Sequence, residues 1–523
     1  MNRRQSYQIV LVAMSCVLLF ACGAVGKDLL VALGGDVEGW DPVTEVFYAA
    51  GEIVRNCYDN IVNFSVMGAE ESPYEVPVGQ IQVEGGLAES WEWSEDGTVI
   101  TFHLREGVVF PSGNPLTAED IRWNVERGLN LPGGGLWSWN VMAVTSMDQI
   151  AVIDEHTVQF TLPQPNSLFL PMYAVETKAV VDSAEAKKHA TAEDPYAHEW
   201  LLTNVASTGA YHLERYSPAE EIVLAANEDY WGGKPAIDRV VYKIIPAEET
   251  RVLLLKNGDV DISLFISPEQ VQKQLVDQTG IRVVNVPTPG CEYFAVNSEM
   301  EPFDNLLVRR ALAYATPYDD IIENVLYGFG VRATSPVPLM TPWHRDVSPY
   351  NYNIAKAREL LELAGYPDGF EFTLSYRLDN PVEEAIAIYL QDAYADIGVD
   401  LIIDKVAASR FSQIRRTGEY QSILVYFIPY VNSPIYMLNI YDSPTANYGR
   451  YWNQDFSNLK LKAIVELDLE KQQGMVNAMQ QILIDGCGIV FLHHPNRITC
   501  MRDDVSGYVY FPDHLIRYKY MDK

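Results

Sequence analysis

The nineteen residues Ile423 to Tyr441, ILVYFIPYVNSPIYMLNIY, carry no charge in a chain that is 21% charged. They have the length of a membrane span, yet Pro429, Asn432, Ser433 and Pro434 sit in their middle. Prolines remove backbone donors, and lipid offers nothing to satisfy the groups they leave. A protein core is the alternative, and it has to be a large one. The chain supplies it: 523 residues at 48% hydrophobic composition bury extensive cores and point to more than one compact domain.

Formal net charge is −32. A field of that sign repels nucleic acid and anionic lipid and favours solubility. The N-terminus sets the compartment. Arg3 and Arg4 precede the apolar run IVLVAMSCVLLFAC, the form of a secretory signal over residues 1–21. Two exits compete. Leu19-Phe20-Ala21-Cys22 resembles a bacterial lipobox with Cys22 to be lipidated, although Phe20 is bulky for that pattern, and Cys22-Gly23-Ala24 also serves an ordinary signal peptidase. A retained anchor helix is the third option, for which the run is short. Cys57, Cys291, Cys487 and Cys500 then remain, without a CxxC spacing for zinc. In an oxidising compartment a disulfide between Cys487 and Cys500 fits two strands around a turn at His494-Pro495-Asn496, but four thiols allow three full pairings and the sequence does not choose between them.

Strands and helices alternate irregularly, as in a mixed α/β architecture. The dipeptide Asp96-Gly97 between Trp91/Trp93 and Val99/Thr101/His103 predicts a hairpin. Thr117-Ala118-Glu119-Asp120 has the form of a capping box opening a helix. Asp304 is expected to cap a helix through Ala315, and Pro317 to open another that ends at Gly328. Asn353 starts AKARELLELAG, with Gly365 as its left-handed stop.

No catalytic constellation emerges. There is no GxSxG elbow, no HExxH pair and no GxxxxGK[ST] loop. Trp231-Gly232-Gly233-Lys234-Pro235 lacks the other residues of a phosphate loop and reads as a turn. His493 and His494 are neighbours on an expected strand, so their side chains face opposite ways and do not chelate one ion. A secreted glycosidase-like hydrolase requires two facing carboxylates, and no spacing nominates a pair.

Five blocks in order carry a family resemblance. They are Gly39-Trp40-Asp41-Pro42; GLAESWEWSEDGTVITFHLREGVVFPSGNPLTAEDIRWNVER; STGAYHLERY with NEDYWGGKPAIDRVVYKII; PFDNLLVRRALAYATPYDDIIENVLYG; and NYNIAKARELLELAGYPDGFEF. Together they resemble the extracytoplasmic solute-binding proteins of ABC importers, in the peptide/nickel-binding class (family 5). The resemblance implies an α/β, two-lobe periplasmic-binding-protein-like fold of the class II (cluster C) type, hinged around a ligand cleft. Lobe one is expected from residues 27–63, 206–290 and 487–523, an extra subdomain from 64–205 and lobe two from 291–486. It further implies a monomeric receptor in the periplasm or on the outer face of the membrane. Its partners are a peptide or other small-molecule ligand and the ABC permease and ATPase subunits, with no cofactor and no catalysis.

In the family's peptide binders, the region matching Tyr426 to Pro434 carries an aspartate for the ligand's ammonium. Here that region offers Tyr426, Tyr430 and Asn432 and no acid. The resemblance therefore implies an aromatic cleft floor, a neutral ligand group, and a modified peptide, oligosaccharide or opine-like solute as candidates. Trp40 and Arg377, the latter for a carboxylate, complete the expected ligand contacts. On the lipobox reading, Cys22→Ala releases the protein from the membrane fraction on cell fractionation. A wild-type protein already soluble in the periplasm contradicts the tether.

Overall fold

The computed structural model describes residues 26–44, 48–66, 68–69 and 83–523. The expected export segment and Cys22 lie outside the described residues.

One strand, Ile489–Arg502, organises the molecule. Its fourteen residues exceed ordinary strand length, and its two halves belong to different sheets. The first half pairs antiparallel with Cys291–Val296, and His493 to Pro495 pair with Gly330–Arg332. The second half, from Asn496, pairs with Ile281–Pro287 and, near its end, with Ile262–Ser263. Outward from the first half lie Ser422–Phe427, Glu371–Arg377 and Asp400–Val406. Outward from the second lie Asp28–Leu33, Arg239–Ile244, Glu221–Ala226 and Tyr211–Ser217. These are the sheets of two α/β lobes. Glu371–Arg377 and Asp400–Val406 run parallel, which demands a crossover, and the helix Pro381–Ala395 provides it.

A third body is built on an antiparallel sheet, ordered Ala88–Trp93, Val99–Leu104, Thr157–Thr161, Ile150–Asp154. Its hairpin turns at Gly97, whose φ of 67° suits glycine. The capping box forms, with Asp120 reaching back to the Thr117 N–H, and opens Ala118–Asn130.

Three expectations are corrected. No turn exists at His494-Pro495-Asn496, because those residues carry the shared strand from one sheet to the other. Cys487 and Cys500 therefore lie at opposite ends of one extended segment, about 40 Å apart at a strand's rise, and cannot bridge. All four described cysteines are buried free thiols. The passage between the sheets falls within the strand near Pro495, so residues 489–493 pair in lobe two's sheet. The helix Leu306–Ala315 is capped by Asn305, whose side chain accepts the Leu307 N–H at 2.9 Å, and not by Asp304.

The Gly39-Trp40-Asp41-Pro42 motif acts as a buried clamp. Asp41, fully buried, accepts both Arg127 guanidinium nitrogens and the His198 ring nitrogen, the last at 2.6 Å. Arg127 lies on Ala118–Asn130, so the ion pair ties that helix to the first lobe. Burial alone would raise the Asp41 carboxyl, but the His198 hydrogen bond and the Arg127 charge hold it below the usual range. Removing one partner of such a pair strands the other charge. Asp41→Ala is accordingly expected to cost about 3–5 kcal/mol of stability, read from denaturant unfolding. A loss under about 1 kcal/mol, the scale of an exposed pair, contradicts this role.

Candidate functional site

A cavity of about 260 Å³ opens beside the shared strand where it passes between the lobes. Lobe one contributes Phe265, Pro268 and Arg497, and lobe two contributes Glu292, Asn380, Tyr426 and His493. Strand register explains the grouping. Glu292 lies opposite Tyr426 on one side and opposite His493 on the other, and residues opposite one another share a face of the sheet. Gly290 makes room for the phenol: a Cβ there would stand 2.5 Å from the Tyr426 oxygen. Across the cavity, Phe265 holds a left-handed φ of 56°, a conformation that costs a bulky residue energy. Its ring is partly exposed, with the Arg497 guanidinium 4.5 Å from its centroid.

The floor of this cleft is buried and polar. Glu292 is 3% exposed, and its Oε1 lacks a partner among the described residues. His493 is 1% exposed, and neither ring nitrogen has a hydrogen-bond partner among the described residues. Burial, and then the neighbouring Glu383 charge, push the Glu292 carboxyl well above the usual range. Glu383 is also raised, chiefly by burial, although its Oε2 accepts the Arg377 backbone N–H at 3.2 Å. Burial, and then His494, push the His493 imidazole down to about 3, so it is neutral at physiological pH.

The expected site residues scatter. Tyr426 lines the cleft. Arg377 is not among the residues lining the cavity and is forked onto the Asp379 carboxylate at 3.0 and 2.6 Å. Tyr430 is 38% exposed and lies 6.1 Å from Trp137 of the subdomain, ring to ring. Asn432 is buried, with Oδ1 accepting the Thr341 hydroxyl at 2.6 Å and Nδ2 donating to the Met340 carbonyl at 2.8 Å. Trp40 is packed in the first lobe's core, edge-on to Tyr216 at 5.0 Å. Glu292 and Phe265 were not anticipated. A signal for Glu292 exists: it is the only charge in the wholly buried strand Cys291–Val296.

A larger cavity of about 420 Å³ lies between the subdomain and lobe two, lined by Trp93, Leu170, Trp343 and Ile435. Lobe one takes no part in it. The smaller cavity is the one that both lobes enclose, and of these two it is lined by the buried Glu292, whose Oε1 lacks a partner among the described residues.

Two sheet-based lobes joined along one strand, with a cavity at the junction, define a hinged binding protein. The chain belongs to the bacterial extracellular solute-binding proteins, family 5, whose middle region matches residues 82–449. It is 28% identical over 522 residues to the probable D,D-dipeptide-binding periplasmic protein of Escherichia coli, covering 98% of each chain. It is also 28% identical over 519 residues to the dipeptide-binding protein of that organism, covering 94% of each. The ABC transporter-associated periplasmic binding protein of Helicobacter pylori, solved with the peptide STSA, superposes with a TM-score of 0.80 at 27% identity. That match covers 95% of this chain and 98% of the other.

Asn432→Ala is expected to strand the Thr341 hydroxyl and the Met340 carbonyl and to cost about 1–3 kcal/mol. Urea unfolding measures it. A neutral change would mean that the amide is not holding that loop.

Proposed function

We propose that this protein is the receptor of an ABC importer, capturing a peptide or similar small organic solute outside the cytoplasmic membrane and passing it unaltered to the permease. The carrying observation is the position of the cavity, at the passage of one strand between two lobes and walled by both. A ligand seated there gains contacts that exist only when the lobes approach, so it favours the closed state. The named relatives, dipeptide-binding proteins and a peptide complex, support a peptide-like ligand.

Within this reading Tyr426 contacts the ligand in the cleft. Tyr430 works with Trp137 where lobe two meets the subdomain, and Arg377 receives a ligand carboxylate on leaving Asp379. Trp40 and Asn432 serve by holding their lobes in shape. A monomer, tethered through lipid at Cys22, completes the proposal.

Because a ligand binds only the folded state, it raises the melting temperature by mass action. Among di- to tetrapeptides, a binder is expected to do so and also to shrink the radius of gyration in solution scattering. Micromolar binding that leaves the scattering profile unchanged contradicts hinge closure, and recovery of a cleaved ligand contradicts the receptor role.

A further inference from the structure

We infer that Glu292 recognises the ligand by receiving a cationic group, a primary ammonium or a guanidinium, in the space bounded by its carboxylate, the Tyr426 ring and Phe265. This rests on the reading of the cleft as the ligand site. A buried carboxylate without a partner costs several kcal/mol, and proteins normally pair or replace such a group. Glu292 is the second residue of the buried strand Cys291–Val296, where a hydrophobic residue would pack without that cost. Glu292 lines a cavity of about 260 Å³, and its Oε1 lacks a partner among the described residues. The partner that removes the cost is one that arrives from outside.

The surroundings fit a cation. Tyr426 and Phe265 line the cavity, aromatic rings attract positive charge, and the Arg497 guanidinium lies 4.5 Å from the Phe265 centroid. His493, on the other side of Glu292, is a neutral imidazole that neither repels nor replaces the ligand's charge. The uncharged segment Tyr426 to Pro434 is then consistent with charge recognition. The acid stands on the neighbouring strand, directly opposite Tyr426.

Several charged or titratable groups face Glu292. They are Glu383 with its neighbours Arg377 and Asp379, Tyr426, His493, Arg332 opposite His493, and Arg497 and His514 across the cavity. Both histidines are pushed down to about 3, mainly by burial. The Glu292 carboxyl, raised by burial and then by Glu383, and the Glu383 carboxyl, raised chiefly by burial, are the groups of this set that an arriving cation would ionise. Their proton goes to solvent as the cation binds. Affinity therefore falls as pH drops through the raised carboxyl range, and binding at pH 7 releases protons.

The test uses the full mature chain, di- to tetrapeptides with uncharged side chains, and their N-acetylated counterparts. Calorimetry is run in two buffers of different ionisation enthalpy. The expected result is at least tenfold tighter binding of the free-amine peptides, with proton release. Glu292→Gln should lose that preference without a lower melting temperature, and Glu292→Asp should keep part of it. Equal binding of acetylated peptides, or an unchanged preference in Glu292→Gln, overturns the inference and leaves the receptor reading standing. If no peptide of either form binds, the peptide reading fails. The inference is then decided by mass spectrometry of the molecule that co-purifies with the protein, and a ligand without a cationic group overturns it.

Discussion

The backbone ladder of Ile489–Arg502 is the constraint on which the molecule depends. Its amides and carbonyls are shared between two sheets, so neither lobe is complete without it. Pro495, which has no N–H to donate, sits where the strand leaves Gly330–Arg332 and takes up Ile281–Pro287. A residue that contributes only half of a ladder step is tolerated at such a change of partner. The same passage brings His493 and Arg497, four residues apart on one strand, into the lining of a single cavity.

The uncharged segment is divided among three tasks. Ser422–Phe427 is a strand of lobe two, placing Tyr426 beside the cleft. Ser433 caps the short helix Pro434–Asn439, with proline in its first turn where a missing donor is harmless. Tyr430 and Tyr436 meet Trp137, so this edge of lobe two abuts the subdomain through rings. A charge in the buried parts of this run would be desolvated from two sides, which accounts for its composition better than a membrane would. Among the described residues, no helix is long and apolar enough to cross one.

Local chemistry was legible in the sequence where local chemistry decides the structure. The Asp96-Gly97 hairpin, the Thr117 capping box and the Asn353 cap with Gly365 at a φ of 89° all depend on neighbours in the chain. Asn305 displaced Asp304 as a cap because both side chains accept hydrogen bonds and only the backbone geometry chooses between them. The second helix of that pair starts at Tyr318 but widens into a π-turn over Ile321–Val325 and stops short of Gly328. His494-Pro495-Asn496 has turn composition, yet pairing with two distant segments keeps it extended. The cleft is of the same kind: Glu292, Tyr426 and His493 meet through register alone, across some 200 positions of sequence. Tyr426 to Pro434 read alone therefore does not show Glu292, which stands on the adjoining strand opposite Tyr426.

The most direct measurement is a crystal structure of the protein with the small molecule that accompanies it through mild purification. Density in the cavity beside the shared strand, touching both lobes, with a cationic group within about 3 Å of the Glu292 carboxylate, is the predicted result. A ligand bound instead between the subdomain and lobe two near Trp343 and Ile435, or one presenting an uncharged group to Glu292, would contradict the account.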